Sequence, residues 1–262
     1  MRDLTLTLVQ TALAWHDPAA NRQHLAAQLA ATLPGPGATD LVVLPEMFTT
    51  GFTMDATQAE PADGPTLAWL REQAARYDAV VTGSVLLAEG GRCYNRLLWV
   101  RPDGSFSSYD KRHLFRLAGE HEVYTAGTAP LLEEWRNWRI RPLICYDLRF
   151  PVWSRNRAAA PYDLLLYVAN WPAVRRHPWQ VLLPARAIEN LAYTAGVNRI
   201  GTDHNGHRYA GDSVLLDMRG EPLAQAHDQA VVLTHTLSAT ALQTFRQQFA
   251  ALLDADEFEV RG

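Results

Sequence analysis

The chain contains short apolar runs that end abruptly. Three such runs lie at residues 41–44, 140–144 and 164–169. Runs of this length are typical of strands that are buried on both faces, a situation found mainly in sheets covered by helices. Segments with helical periodicity separate them. The pattern therefore predicts an α/β protein.

The first third of the chain has a regular order of elements. Residues 3–10 alternate apolar and polar side chains, which predicts a strand with one buried face. Helices are predicted to begin at Asp17 and at Asp63, each close to a proline. A strand at 79–87 follows the second helix. Together with the run at 41–44, these elements predict a βαβαβ unit.

The rest of the chain adds antiparallel pairs, which implies mixed sheets covered by helices. The predicted elements are a hairpin (97–100 and 106–109), a helix (179–192), a strand (193–200), an antiparallel meander (213–217, 222–226 and 230–237), a final helix (239–253) and a polar tail. No linker interrupts this order. We therefore expect a single domain over residues 1–262.

Composition limits the partners. The formal net charge is −4, so there is no bulk attraction to nucleic acid or to anionic membranes. No apolar run approaches the roughly 20 residues that span a bilayer, and the chain opens with a strand pattern rather than a signal sequence. Two cysteines are too few for a disulfide framework. We expect a cytoplasmic protein that acts on a small molecule.

Cys145 is predicted to lie where a strand gives way to a helix, because Pro151 suits a first helical turn. A thiol at such a junction can be stabilised as the thiolate by exposed N–H groups and nearby cations. The alternative is that Cys145 is a small buried hydrophobe, which is common for a free cysteine.

Glu46 and Lys111 also lie at the ends of predicted strands. A cysteine nucleophile needs a base for its proton and a cation or N–H donors for a developing oxyanion, and these two residues could supply them. Each also has a structural interpretation, Glu46 as a helix cap and Lys111 as a surface charge. Cys93 lies near the hairpin, matches no catalytic motif and is predicted to be dispensable.

Three sequence blocks resemble the signature motifs of the nitrilase, or carbon–nitrogen hydrolase, superfamily. They are PEMF at 45–48, YDKRHLF at 109–115 and ICYDLRFP at 144–151, in the family's order. Residues 185–190 and 211–213 resemble later motifs, so the similarity covers nearly the whole chain. The resemblance implies a four-layer αββα sandwich, a Glu46-Lys111-Cys145 triad, a homodimer and no cofactor.

The resemblance also implies a second glutamate and a mechanism. The glutamate falls on Glu120, seven residues before Gly127, rather than on Glu122. Glu46 would take the Cys145 proton, and the thiolate would attack an amide carbon. Lys111 and the Tyr146 backbone N–H would form the oxyanion hole, and a thioester would be hydrolysed after ammonia leaves.

Within the superfamily, residues 46–52, 168–172 and 254–258 resemble the bacterial omega-amidase branch, whose members hydrolyse the terminal amide of 2-oxoglutaramate and related dicarboxylate monoamides. The carboxylate of such a substrate would need a cation or N–H donors. Arg175 and Arg176 are candidates for this role. His177 is a weaker candidate, because Pro178 separates it from Trp179. The alternative is that these residues form a solvated basic loop. The other predicted substrate-binding residues are Met47, Phe48, Asn170 and Trp171, with Trp179 as a further pocket wall.

Other functions remain open from the sequence. Another small aliphatic amidase, an N-carbamoyl hydrolase or a nitrilase would use the same triad, and a catalytically silent binding protein could retain the fold. We predict no metal site, because His204 and His207 flank an Asn-Gly turn without the ligand spacing of a structural zinc site.

Overall fold

A computed structural model describes residues 1–260 of the chain. The last two residues of the predicted domain and polar tail lie outside the described residues. The strands are β1 (Leu4–Gln10), β2 (Leu41–Val43), β3 (Glu60–Pro61), β4 (Val80–Glu89), β5 (Arg92–Val100), β6 (Phe106–Asp110), β7 (Glu133–Trp135), β8 (Trp138–Ile144), β9 (Leu164–Ala169), β10 (Tyr193–Asn198), β11 (Ile200–Thr202), β12 (Arg208–Ala210), β13 (Val214–Leu216), β14 (Pro222–Gln225) and β15 (Val231–Leu237). The helices are α1 (Pro18–Thr32), α2 (Pro65–Tyr77), α3 (Glu120–Val123), α4 (Pro151–Ser154), α5 (Arg176–Asn190) and α6 (Ala239–Gln248).

The strands form two mixed sheets. The first has the order β15-β1-β2-β4-β5-β6, with β3 pairing to β4, and contains the predicted βαβαβ unit as the parallel strands β1, β2 and β4. The second has the order β14-β13-β10-β9-β8-β7, with β8, β9 and β10 parallel. A separate hairpin pairs β11 with β12.

The layers follow from the alternation of side chains along the strands. In β2, Leu41 and Val43 face the second sheet, whereas Val42 faces the opposite way and packs with residues of α1 and α2. On the far side, α5 packs on β10 so closely that a Cβ at Gly196 would lie 2.6 Å from a Leu183 methyl group. The architecture is the expected four-layer αββα sandwich.

Local signals explain where several elements begin and end. The Asp17 side chain accepts a hydrogen bond from the Ala20 N–H at 2.9 Å and caps α1. Pro151 is at the start of α4, as predicted, and a 3-10 turn at Cys145–Arg149 links β8 to it. No helix among residues 1–260 has the length and apolar character to cross a bilayer.

The predicted meander near the end of the chain is wrong in its third strand. Strands β13 and β14 pair, but β15 leaves that sheet and pairs antiparallel with β1 in the other. Hydroxyl pairs such as Thr7 with Thr234, 2.9 Å apart, hold this register. The predicted final helix is also too long, because α6 ends at Gln248 and a 3-10 turn follows at Ala251–Asp254.

Candidate active site

Four polar or nucleophilic side chains meet where strands of the two sheets end. Glu46 follows β2, Lys111 follows β6, Cys145 follows β8 and Asn170 follows β9. The Asn170 backbone N–H donates to Glu46 Oε2 at 2.8 Å, and its side-chain amide donates to the Glu46 carbonyl. These contacts join the carboxyl end of a strand in one sheet to that of a strand in the other.

Lys111 lies between two carboxylates. Its ammonium Nζ is 2.8 Å from Glu46 Oε1 and 2.9 Å from Glu120 Oε2, and all three side chains are almost inaccessible to solvent. Glu120 also accepts a hydrogen bond from the Phe115 N–H at 2.6 Å. The structure therefore brings together the two glutamates and the lysine that the sequence placed far apart.

Asn95 completes this charged cluster and was missed by the sequence analysis. Its Nδ2 donates to Glu46 Oε1 at 2.8 Å and to Glu120 Oε1 at 3.3 Å, so that it bridges the two carboxylates. Asparagine is depleted in strands, and Asn95 lies inside β5. The mismatch between this residue type and a strand was the feature of the sequence that could have identified Asn95. We refer to Glu46, Asn95, Lys111 and Glu120 below as the charged cluster.

Burial and charge act on the titratable groups of the cluster in opposite directions. Burial opposes a charge on Lys111, but Glu120 and Glu46 outweigh it and raise the pKa of the ammonium above its usual range. Burial raises the pKa of Glu120, and Lys111 opposes that shift. The glutamates that stabilise the Lys111 ammonium also oppose a negative charge on the neighbouring Cys145.

Cys145 lies in a strained turn at the edge of this cluster. Its φ of 43° is in the left-handed region, which is unfavourable for a residue other than glycine. Burial and the charge of Glu46 raise the pKa of the Cys145 thiol well above its usual range, while Lys111 lowers it. The thiol is therefore protonated at neutral pH and needs a base before it can act as a nucleophile.

A cavity of about 620 Å³ opens above Cys145 and Lys111. Of the residues predicted to bind substrate, Asn170, Trp171 and Arg175 line it, and Tyr146 does so too. Its other lining residues are Trp15, His16, Phe52, Thr53, Met54, Asp55, Phe115, Ala118, Arg149, Pro172, Asp203, His204, Asn205, His207 and Tyr209. Loops supply most of these residues, whereas Cys145 and Lys111 follow strands directly. We call the residues that line the cavity, apart from Cys145 and Lys111, the cavity wall.

The other predicted binding residues lie elsewhere. Phe48 packs with the helices outside the first sheet, and Met47, with a φ of 42°, turns into a small buried cluster with Leu86. Arg176 forms an ion pair with Asp212 at 2.5 Å, and neither residue lines the cavity. Trp179 is buried between α5 and the second sheet. These four placements correct the prediction.

Two arginines of the cavity wall have aromatic partners but no carboxylate partner. The Arg175 guanidinium carbon lies 5.2 Å from the centre of the Phe115 ring, and that of Arg149 lies 5.2 Å from the Trp171 ring. Within residues 1–260, neither side chain forms an ion pair. Both cations are therefore free to meet an anion in the cavity. Arg149 was not singled out by the sequence analysis.

The two histidines considered as metal ligands, His204 and His207, lie in the cavity wall. His204 stacks on Trp15, which stacks in turn on His16. Residues 1–260 hold no group of three or more His, Cys, Asp or Glu side chains placed to bind a metal ion. The absence of a metal in the working protein stays a prediction.

Comparison with known proteins gives the family. The family model for carbon-nitrogen hydrolases matches residues 5–247. The chain belongs to the carbon–nitrogen hydrolase family. A curated relative of this family, omega-amidase YafV of Yersinia enterocolitica, is 52% identical to it, covering 98% of this chain and 99% of the relative.

Two further comparisons add a relative and a solved structure. The 2-oxoglutaramate amidase of Bacillus subtilis is 34% identical, covering 71% of this chain and 73% of the relative. A crystal structure of a CN-hydrolase superfamily protein from Xanthomonas campestris, which carries an arsenic adduct in its active site, is 51% identical and superposes with a TM-score of 0.96 over 100% of both chains. The predicted family and fold are confirmed.

Proposed function

We propose that this protein is an omega-amidase, which hydrolyses the terminal amide of 2-oxoglutaramate and similar dicarboxylate monoamides to the acid and ammonia. The observation that carries the proposal is a cavity with Cys145 and Lys111 at its base and two unpaired arginines in its wall. The names of the relatives from Yersinia enterocolitica and Bacillus subtilis support the same activity.

In the first step, Glu46 is the general base. Its Oε1 accepts hydrogen bonds from Lys111 and Asn95, and its Oε2 accepts one from the Asn170 N–H, so the carboxylate is held in place while it receives the Cys145 proton. The sulfur then forms a bond to the amide carbon. Because the proton moves from thiol to carboxylate, the net charge of the buried site does not change before attack.

The oxyanion forms beside Lys111. The raised pKa of Lys111 keeps it an ammonium at neutral pH, so it can stabilise negative charge on the former carbonyl oxygen. The Tyr146 N–H is the second proposed donor. Tyr146 is the second residue of the 3-10 turn, and N–H groups at the start of a helical turn have no partner within it.

Collapse of the tetrahedral intermediate breaks the carbon–nitrogen bond. The protonated Glu46 gives its proton to the leaving nitrogen, ammonia departs, and a thioester remains on Cys145. Glu46, again a carboxylate, takes a proton from water as the water oxygen attacks the thioester carbon. The second tetrahedral intermediate then breaks the carbon–sulfur bond, the acid leaves, and Glu46 returns the proton to the Cys145 sulfur. Glu120 positions Lys111 throughout, through contacts of 2.9 and 3.0 Å.

The far carboxylate of the substrate binds to Arg175 or Arg149. A guanidinium can form two parallel hydrogen bonds to a carboxylate, and the aromatic rings beneath these arginines restrict their motion. A carboxylate buried without such a partner would be costly. A substrate carboxylate that meets one of these arginines therefore binds better than a neutral group at the same place.

A substrate comparison tests the proposal. We expect kcat/KM for 2-oxoglutaramate or succinamate to exceed that for butyramide at least about tenfold, a difference of ~1.4 kcal/mol that one charge-assisted hydrogen bond can supply. Ammonia release measures both. Equal or faster hydrolysis of butyramide would instead indicate a general aliphatic amidase that uses the same catalytic residues.

The proposed assembly is a homodimer formed through the helical layer. Val181 and Ile188 are exposed two turns apart on α5, and Leu253 is exposed near the end of the chain. Apolar side chains that share a helix face are typical of an interface. The mass in solution, measured by light scattering, tests the proposed dimer.

The cytoplasmic location stays a prediction. Both cysteines are free in the structure.

A further inference from the structure

Asp147 is a buried carboxylate that the proposed mechanism does not use. It accepts four hydrogen bonds, from the Ile144 N–H at 3.0 Å, the Tyr109 hydroxyl at 2.7 Å, the His113 N–H at 3.1 Å and His113 Nδ1 at 2.7 Å. The side chain of Asp147 is fully buried. A carboxylate with this many donors fixes the positions of the groups around it.

The four donors come from the two segments that carry the reactive groups. Ile144 directly precedes Cys145, and Asp147 lies two residues after Cys145. The hydrogen bond from the Ile144 N–H to the Asp147 carboxylate therefore closes the turn that holds Cys145 at its unfavourable φ. Tyr109 and His113 flank Lys111 on either side. The Asp147 carboxylate thus connects the turn that contains Cys145 to the segment that contains Lys111.

Further contacts stiffen the connection. The Tyr109 hydroxyl, which donates to Asp147, also accepts from Trp153 Nε1 at 2.9 Å and from the Arg112 N–H at 3.2 Å. The His113 ring stacks on Phe150, with centroids 3.7 Å apart, at the other end of the Cys145 turn. Asp147, Tyr109 and His113 are absent from the cavity lining.

We propose that Asp147, with Tyr109 and His113, forms a positioning unit that sets the separation and orientation of Cys145 and Lys111. These residues do not touch substrate. They act by holding the nucleophile and the oxyanion cation in one arrangement, and this role rests on the proposed function of both. A positioning role predicts a loss in the chemical step without a loss in substrate binding.

The main test is Asp147→Asn, which keeps the size of the side chain but places N–H donors against the existing donors. We expect kcat to fall about 100-fold or more with KM within about threefold, because a small misplacement of reacting groups has effects of this size. The matched control is Asp163→Asn. Asp163 accepts from the Arg139 N–H and from Arg246, but it lies at the opposite end of β9 from Asn170. Its substitution should lower the melting temperature and leave kcat unchanged.

Retention of kcat within about threefold in folded Asp147→Asn, or an equal loss in Asp163→Asn, would overturn the proposal. If Asp147→Asn does not fold, His113→Gln decides, since the His113 side chain is 21% exposed and tolerates a polar replacement. We expect about a tenfold loss of kcat, and a loss of less than twofold would refute the unit.

A second measurement separates this proposal from the proposed function. If the wild-type protein hydrolyses no amide, the omega-amidase assignment fails, but the rate at which iodoacetamide alkylates Cys145 still reports its position beside Glu46 and Lys111. In a Cys93→Ser background, we expect alkylation to be about tenfold slower with Asp147→Asn and unchanged with Asp163→Asn. Equal rates in both variants would count against the positioning unit.

Discussion

The charged cluster beneath the cavity and the cavity wall above it are held in contrasting ways. In the cluster, the carboxylates of Glu46 and Glu120 each accept several hydrogen bonds from side chains and backbone N–H groups. In the wall, Arg149 and Arg175 rest on aromatic rings and have no anionic partner among the described residues. The charged groups of the cluster have their partners without substrate, whereas the arginines of the wall would gain an anionic partner from the substrate.

Chemistry and selectivity therefore reside in different parts of the site. A buried charge that loses its partner costs about 3–5 kcal/mol, so substitutions in the cluster affect both rate and folding. Arginines that contact only aromatic rings can change without leaving an unpaired carboxylate in the protein. We therefore expect cluster substitutions to lower kcat on every substrate, and wall substitutions to act on some substrates only.

The largest effect should come from Cys145→Ala. Removal of the sulfur leaves no atom that can form the thioester, so turnover should fall below detection on every amide. The protein should stay folded, because the change removes one atom from a site that borders a cavity. Ammonia release and circular dichroism measure the two properties. Cys93→Ser is the control and should keep the wild-type kcat; hydrolysis by Cys145→Ala would contradict the mechanism.

Glu46→Gln should lower kcat about 100-fold or more and change the pH dependence. The charge of Glu46 raises the pKa of Cys145, so its removal lowers that pKa, although burial still raises it. Without a base, the variant depends on the thiolate fraction, which increases with pH until the thiol pKa is reached. Its kcat/KM should therefore rise steadily from pH 7 to 9, while the wild-type profile stays flat. Parallel profiles would show that Glu46 is not the base.

The smallest effect should come from the wall. Arg175→Gln should lower kcat/KM for 2-oxoglutaramate about tenfold and leave butyramide unchanged, because only the former has a carboxylate to lose its partner. Arg176→Gln is a matched control, since Arg176 pairs with Asp212 outside the cavity. A selective loss in Arg149→Gln alone would place the carboxylate over Trp171 instead. An equal loss on both substrates would show that the cavity wall does not select for the substrate carboxylate.

Much of the fold could be predicted because it depends on local patterns. The alternation of side chains and the capping residues gave the βαβαβ unit and the ends of β2, β6 and β8, and therefore the positions of Glu46, Lys111 and Cys145. The partner of β15 could not be predicted in this way. A strand's neighbour depends on contacts far along the chain, and nothing within 231–237 distinguishes pairing with β14 from pairing with β1.

The cavity wall was harder to predict than the charged cluster for a related reason. Side-chain direction after a strand depends on the turn, and the left-handed backbone of Met47 sends it into the core instead of the cavity. Arg175 and Arg176 are adjacent, yet only the first lines the cavity. Asn95 lies inside β5, whereas the other members of the charged cluster lie outside the strands. The catalytic roles assigned to Glu46, Lys111, Cys145 and Glu120 stay predictions until the variants are measured.

The pairing of β15 with β1 has a consequence for synthesis. Residues Leu4–Gln10 leave the ribosome well before their antiparallel partner, Val231–Leu237, which is made about 220 residues later. At about 5–20 residues per second this interval is on the order of 10 to 40 s. Until then the edge of β1 has unpaired N–H and C=O groups beside Leu6 and Leu8, an arrangement that other nascent chains can join. The unpaired edge of β1 is therefore a place where aggregation can compete with folding during synthesis.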